Sequence, residues 1–521
     1  MLRSQSNKNQ NMNLKASLFL TAICLFTIDS FSQDGSLDPT FGMGGIVTTS
    51  IGSSASGNAM ALQPDGKIIM AGSIAGSANN SDFALARYNP DGTFDAAFGA
   101  SGIVTSDMSA SDGLCAVAVQ SDNKIVVAGT VYINGHGKFI VMRYLSDGSV
   151  DNTFGNSGSV ITVVGSVDAG AAATCMVIQP DGKIVVGGAK YAVGQTTYHS
   201  FGLVRYNTDG TLDTTFGNAG IVIVGSGRIP QSLALLPNGK ILIGGQSTTT
   251  SSGYDFILSC INSNGVGLNF DVTTNFNGIG GGALKDIAIQ PDGKIVAVGI
   301  ARPGTSNFDF AMARYNSSGT LDTSFGTGGK IVTDFENSDD SANAVIIQND
   351  NKILVVGSSY YITQSFAVAR YSSNGSLDQT FDDDGKVLTY IASRSGAGAV
   401  LLQTGGKILV GGSSSIDVTI SNFTLVRYNG TPLSDSDFTV SNPTHIFPNP
   451  VSAHGTLFSN TFFDDVSVDI FNSIGQQLRH IDHFSGDRIA LNPIDFTEGL
   501  YYIRIAGQNK MLYTSKFSVK N

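Results

Sequence analysis

One phrase constrains this chain more than any other. "ALQPDGKIIMAG" at 61–72 returns as "VIQPDGKIVVGG" at 177–188 and "AIQPDGKIVAVG" at 288–299, with four looser copies among and after them. The lysine that ends each hairpin turn falls at Lys67, Lys124, Lys183, Lys240, Lys294, Lys352 and Lys407, so successive spacings are 57, 59, 57, 54, 58 and 55 residues. A second anchor is an Arg-Tyr pair beginning at Arg87, Arg143, Arg205, Arg314, Arg370 and Arg427; the missing copy is read as Ser259-Cys260. A third is "LDPTFG" at 37–42, echoed with aspartates at Asp95, Asp151, Asp213, Asp322 and Asp378 and broken in the fifth unit as "LNFDVTTNF". Seven units of nearly equal length follow.

Each unit reads as four short strands, in the first unit 59–63, 67–73, 83–88 and 102–106. Pro-Asp-Gly joins the first two, because proline presets φ at the first turn position and glycine accepts positive φ without steric cost. With 63 glycines, no tryptophan and only 14% charged residues, the composition suits strands and tight turns. Four strands in each of seven units predict an all-β fold, a seven-bladed β-propeller of roughly 57-residue repeats over 33–430. The "GIVTT" stretch at 45–49 precedes the first hairpin, and the last Arg-Tyr strand at 423–428 has no successor. The spare strand is therefore expected to complete the last blade and lock the ring. Aspartates repeated in every unit are expected to cap turns through side-chain-to-backbone hydrogen bonds. The repeated arginines are expected to pair with a carboxylate or carbonyl between blades. "QPDGKI", "ARYNPDGT" and "LDPTFG" resemble the delta-60 repeat family, whose members are thought to form propellers. The resemblance spans 36–430 and implies a fold without an activity.

The ends are different. "MNLKASLFLTAICLFTIDSFSQ" has a basic start at Lys15, an apolar run over 16–28 too short to cross a membrane, and small residues before a cut expected between Ser32 and Gln33, so 1–32 reads as a signal peptide. No other apolar run is long enough for a transmembrane helix. Cys115, Cys175 and Cys260 remain in apolar strand patterns, where a buried thiol is expected. After a polar linker at 431–445 comes a small β-sandwich at 446–521. It is similar to the type A sorting domain of the type IX secretion system, on Phe447-Pro448-Asn449-Pro450, the turn around Gly475, the strand holding Gly499 and Tyr501, and the closing "KFSVK" from Lys516 to Lys520. That resemblance implies export by the Sec route, passage across the outer membrane by the type IX machinery acting on 446–521, and arrival at the cell surface or outside the cell.

Function is expected on one face. The Pro-Asp-Gly turns and their repeated counterparts share a face that barely varies. The opposite face carries the variable segments, with Tyr132, Tyr191, Tyr254, Tyr360 and Tyr361 as candidate contacts and Asp112, Asp168, Asp339 and Asp340 as non-repeated acids, of which Asp112 and Asp340 are the candidate binding acids. A net charge of −11 excludes nucleic acid as a partner. No G-x-S-x-G elbow, H-E-x-x-H or phosphate-binding loop occurs. His480 and His483 are spaced for one metal, but in a polar strand-like stretch, and no metal ligand is assigned. Calcium is the one cofactor considered, at "FDDDG" 381–385, against a solvated turn. A secreted or cell-surface binding protein with an unidentified extracellular ligand is the reading preferred, a secreted hydrolase or lyase its alternative.

Overall fold

The computed structural model describes residues 33–76, 80–108, 111–166, 168–191, 198–225, 227–250, 253–276, 282–304, 307–361, 363–417, 420–430, 444–447, 451, 455–472, 477–491, 496, 499–507 and 510–520. The expected signal peptide and most of the expected linker lie outside them.

Blade 1 is made of strands a to d: Ala55–Leu62, Ile68–Ala75, Ser81–Tyr88 and Ile103–Ser106, hydrogen-bonded in that order and antiparallel. The same a-b-c-d order recurs, as four further four-stranded sheets, in blade 2 (Asp112–Val119, Ile125–Ile133, His136–Tyr144, Ser159–Thr162), blade 3 (Ala171–Ile178, Ile184–Tyr191, Tyr198–Tyr206, Ile221–Val224), blade 4 (Arg228–Leu235, Ile241–Thr250, Gly253–Ile261, Leu268–Thr274) and blade 5 (Gly282–Ile289, Ile295–Ala301, Asp309–Tyr315, Lys330–Thr333). Blade 6 (Asp339–Ile347, Ile353–Tyr360, Gln364–Tyr371, Lys386–Thr389) and blade 7 (Arg394–Leu402, Ile408–Ser415, Ser421–Tyr428, Ile46–Thr49) form one eight-stranded sheet, joined by the parallel bridge Gln364↔Arg394. Each a strand packs against the a strand of the next blade, and the a strand of blade 7, Arg394–Leu402, packs against that of blade 1. The ring is closed. Its last strand is the expected one: Ile46–Thr49 pairs with Ser421–Tyr428 as strand d of blade 7, Ile46 opposite Val426.

The hydrophobic core is cut into slices between blades. Strand b shows why its sequence is continuously apolar: Ile68 and Met70 pack toward blade 7, while Ile69 and Ala71 pack toward blade 2. Both faces of the pleat are buried, so the alternation of a half-exposed strand is absent.

Every a strand carries a β-bulge at the same place, between Gly57 and Ala59 in blade 1 and between Leu114 and Ala116 in blade 2. The a strands therefore begin earlier than the sequence suggests, at Ala55 rather than 59, because the bulge breaks the two-residue period. The bulge also explains a repeated glycine in strand b. At Gly72, Gly129, Gly188, Gly245, Gly299, Gly357 and Gly412 a Cβ would collide with the backbone carbonyl oxygen of strand a just before the bulge. Bulge side chains reach across seams: Asn58 donates to the Leu114 carbonyl at 2.9 Å, Thr174 to that of Pro230 at 2.8 Å, and Asn343 to that of Ala397 at 2.8 Å.

The repeated charged residues form one buried motif. In blade 7, Asp38 accepts from the Thr40 amide and hydroxyl with one oxygen, and from Arg427 (2.8 Å) and Lys407 (3.1 Å) with the other. The Arg427 guanidinium lies 4.5 Å above the Phe41 ring and donates onward to the Pro90 carbonyl of the next blade. Arg143, Arg205 and Arg314 repeat the same set of contacts with Asp151, Asp213 and Asp322. The aspartate thus caps a turn, as expected. The arginine bonds both a carboxylate of its own unit and a carbonyl across the seam. The paired tyrosines also cross seams, their hydroxyls meeting Thr49, Ser106, Thr162, Thr274, Thr333 and Thr389 of the preceding blade.

Blade 4 departs from this in a coordinated way. The register places Cys260 at the arginine position and Ile261 at the tyrosine position, one residue beyond the expected Ser259-Cys260. The acid becomes Asn269, which accepts from Lys240 at 2.7 Å. The hydroxyl partner in blade 3 becomes Val224. Cation and anion leave together, as do both members of the hydroxyl pair, so no buried group is orphaned. All three cysteines are free; Cys175 and Cys260 are buried and Cys115 is half-buried.

The C-terminal unit is a five-stranded sheet. Gly455–Asn472 and Gln477–Leu491 are long strands with several register shifts, and Asp465 has φ +50°. Leu457 and Ile489 from one end share a core with Ile470, Ile503 and Phe517 from the other. The expected sandwich is thus one sheet folded over on itself.

Burial opposes ionisation of Asp38, Asp151 and Asp378, but hydrogen bonds from Thr40, Thr153 and Thr380 and the arginine charges outweigh it and hold all three carboxyls down at about 2. A depressed native pKa stabilises the fold above the ordinary value of 3.8, and that contribution is lost as pH falls toward 2. Asp38→Asn strands Arg427 and Lys407 and is expected to cost about 3–5 kcal/mol. Urea unfolding at pH 7 and pH 3 should show this loss shrinking at the lower pH; an equal loss at both would contradict it.

Candidate functional site

In an antiparallel blade the starts of strands a and c and the ends of b and d share one edge of the ring. This is the variable face. Tyr132 ends strand b of blade 2 and is 46% exposed; Tyr254 opens strand c of blade 4 at 45%; Tyr360 and Tyr361, at the b–c tip of blade 6, are each 53% exposed. Tyr191 ends strand b of blade 3 and is half-buried. Two exposed features escaped the sequence reading: Tyr390, 53% exposed just after strand d of blade 6, and the pair Ile416 and Ile420 at the tip of blade 7. Their signal was a bulky residue where other blades place small or polar ones. Nearby, a cleft of 250 Å³ is lined by Gln364, Arg394, Ser395, Ser414 and Asp417.

Asp112 and Asp340 are not surface contacts. Both lie at the start of an a strand and are only 1% and 2% exposed. The register makes them equivalent: Asp112 is two residues before Leu114, opposite Gly129, and Asp340 two before Ala342, opposite Gly357. Each meets two aspartates of the preceding blade, one just before the first phenylalanine of strand c and one just after strand d. At the blade 1/2 seam the cluster is Asp82, Asp107 and Asp112; at the blade 5/6 seam it is Asp309, Asp334 and Asp340. Within each cluster one oxygen from each residue lies within 4.8 Å of the others. Asp168 and Asp339 are exposed and outside both.

Burial, together with the neighbouring carboxylates, pushes Asp112 and Asp309 up to about 6; burial does the same to Asp340 against its hydrogen bonds from Ser359, Phe335 and Ser338. The turn at Asp382–Asp384 holds no such cluster. Its Asp382 amide bonds the Asp34 carbonyl and Asp383 accepts from Gln33, so it docks the N-terminal segment. His480 pairs with Asp469 and Asp482, and His483 with Asp465, so the two imidazoles do not converge.

A larger cleft lies on the opposite, invariant face. It measures 790 Å³ between blades 2 and 3, among Gln120, Lys124, Arg143, Gln179, Pro180 and Thr208. An equivalent cleft of 500 Å³ recurs between blades 5 and 6 among Gln290, Lys294, Arg314, Asp350 and Ser373. Both are built of repeated residues and belong to the repeat itself.

Comparison with known families decides what the repeat is. The β-propeller family described as a domain of unknown function (DUF5122) matches at 63–98, 120–154, 179–216, 236–266, 290–325 and 348–381, and the secretion system C-terminal sorting domain matches at 445–520. The chain carries DUF5122 β-propeller repeats and a type IX C-terminal sorting domain. A comparison with curated protein sequences finds no match. Among solved structures, PorZ of Porphyromonas gingivalis, described as an essential bacterial surface component of the type IX secretion system, aligns at 12% identity and a TM-score of 0.37. That alignment covers 89% of this chain and 59% of PorZ, so the chain spans under two thirds of PorZ's length. A protein of unknown function from Dyadobacter fermentans aligns at 10% identity and a TM-score of 0.42, over 75% of this chain and all of the other. The polysaccharide lyase Uly1 aligns at 12% and 0.41, over 72% of this chain and 90% of the other.

The sorting domain makes the DUF5122 propeller a protein exported to the cell surface or beyond. No helix among the described residues is long and apolar enough to cross a membrane. Within the sorting domain, Tyr501 stacks on Phe517 (5.5 Å) and packs on Phe496 (5.0 Å) in the core. Phe447 pairs with Thr456 and Gly499 with Val519; the Lys516 backbone pairs with Tyr502, and the Lys520 amide donates to the Val451 carbonyl. Pro448, Asn449, Pro450 and Gly475 lie outside the described residues.

The acidic seams predict a pH response. Above 3.8 the unfolded chain is ionised while the native clusters still hold protons, so stability falls as pH rises to about 6. In chelating buffer the thermal midpoint of the wild type should drop relative to Asp309→Asn across that interval. Parallel curves for the two proteins would contradict it.

Proposed function

We propose that this propeller is a secreted or surface-displayed binding protein whose variable face captures an extracellular ligand. The observation that carries the reading is the set of exposed aromatic side chains at strand ends of that face, Tyr132, Tyr254, Tyr360, Tyr361 and Tyr390, on a frame whose repeated residues are committed to holding blades together. Tyrosine offers a flat apolar surface with a polar tip at low conformational cost, which suits both sugar rings and peptide side chains. Arg394, in the cleft beside them, adds a fixed positive charge. The buried acids face each other across seams rather than across a cleft, which favours binding over the hydrolase or lyase reading.

A thermal-shift panel of polysaccharides and peptides on the purified protein tests this. A ligand should raise the midpoint by mass action, and the double variant Tyr360→Ala/Tyr361→Ala should weaken its binding about tenfold or more while leaving the unliganded midpoint near that of wild type. Turnover of a panel member would turn the reading to hydrolase or lyase. Deleting 446–521 should leave the protein in the periplasm of its native cells, detected by fractionation; undiminished release would overturn the export route.

A further inference from the structure

We propose that the two three-aspartate seams are calcium sites that staple blade 1 to blade 2 and blade 5 to blade 6. Neither falls on the "FDDDG" turn that suggested calcium in the sequence. Each seam draws its carboxylates from three separate stretches of chain in two blades. Asp112 is 99% buried; its Oδ2 accepts from the Met108 amide, and its Oδ1 has no hydrogen-bond partner at all. Asp309, 93% buried, has no hydrogen bond or ion pair at its carboxylate among the described residues. An orphaned buried carboxylate oxygen is unfavourable unless a cation faces it.

The ligand set suits a hard divalent cation. Calcium binds oxygen at about 2.4 Å, so two oxygens on one ion stand at most about 4.8 Å apart. That is the separation within which each cluster's oxygens fall. Calcium takes six to eight oxygens in a flexible shell, which tolerates carboxylates drawn from three separate stretches of chain, whereas magnesium demands a near-ideal octahedron. Three carboxylates and a divalent ion leave one negative charge, and water completes the shell.

Five other seams carry residues that cannot do this at the same positions. They are Lys138/Val163/Ala171, Ser200/Gly225/Arg228, Asp255/Asn275/Gly282, Ser365/Tyr390/Ser395 and Asn422/Ser50/Ala55. At two of them the first pair is satisfied by a direct hydrogen bond: Asn275 donates to Asp255 at 2.7 Å, and Ser50 to Asn422 at 2.7 Å. Two seams alone have exchanged such pairing for three acids. Both adjoin exposed tyrosines, since Asp112 pairs with Val131 beside Tyr132, and Asp340 with Ser359 beside Tyr360. Calcium would therefore set the rigidity of two hairpins on the variable face.

The test is calcium binding to the chelator-stripped full chain, by isothermal titration and thermal shift, with Asp112→Asn, Asp309→Asn and the double variant. The wild type should bind two calcium ions per chain with a raised midpoint, and magnesium should compete poorly. Each single variant should bind one, and the double variant none. If Asp309→Asn does not fold, Asp334→Asn removes a partly exposed ligand of the same seam. Absence of calcium binding in the wild type, or two ions retained by the double variant, would overturn the proposal. Because the proposal concerns the frame, it survives failure to find an extracellular ligand.

Discussion

In six of the seven blades a buried aspartate shared by an arginine and a lysine holds the blade in register with its neighbour. It does three things at once. One oxygen caps the turn that leads to strand d, the other neutralises two cations, and the arginine it fixes reaches the next blade's turn carbonyl. Buried ion pairs are poor value as isolated contacts, because desolvation opposes the Coulombic gain. Here the carboxylate takes hydrogen bonds on one oxygen and two cations on the other, the guanidinium lies over a phenylalanine ring, and the set specifies one relative position of adjacent blades. Blade 4 shows how strict the coupling is. Cys260 and Asn269 replace the arginine and the acid together, and Ile261 with Val224 replaces a hydroxyl pair across the seam.

The fold was largely legible because the sequence states it seven times. Pro-Asp-Gly turns, apolar b strands and a spare N-terminal strand suffice to place four strands in each unit and to close the ring. The beginnings of the a strands were not legible. A bulge inserts one residue and breaks the alternation that marks a strand, so "SASGN" and "SASDGL" read as loops. The signal that could have revealed it was present: glycine stands five residues after the repeated lysine in all seven units, from Gly72 to Gly412. That position faces the carbonyl before the bulge, and no other residue fits.

The same bulge explains why the candidate site was only half legible. The tyrosines could be found because an exposed aromatic at a loop tip keeps its meaning whatever the exact strand boundary. Asp112 and Asp340 could be singled out as non-repeated, but their partners could not. Asp82, Asp107, Asp309 and Asp334 come from other strands, and only the register across a seam brings them together. Three carboxylates distributed over about 30 residues have no local spacing to recognise. The comparison becomes possible once the bulge aligns one blade on the next, and then five unlike seams stand beside two alike.

Ring closure orders these interactions in time. Joining Ile46–Thr49 to strand c of blade 7 closes a loop of more than 370 residues, from Thr49 to Phe423. In an otherwise disordered chain that would cost on the order of 5 kcal/mol in configurational entropy. Four backbone pairs at a short edge strand cannot offset this alone. Burial of Phe41, on the order of 2–3 kcal/mol, and the Asp38 pair with Arg427 and Lys407 are needed as well. If the blades stack first, through their apolar seams and tyrosine hydroxyls, the ends are already neighbours and the entropic cost largely disappears. The N-terminal strand is therefore expected to close the ring last. The five copies of the repeated motif that act between neighbours in sequence help to build the stack, and the sixth, at Asp38, drawn from opposite ends of the propeller, converts an open arc into a ring.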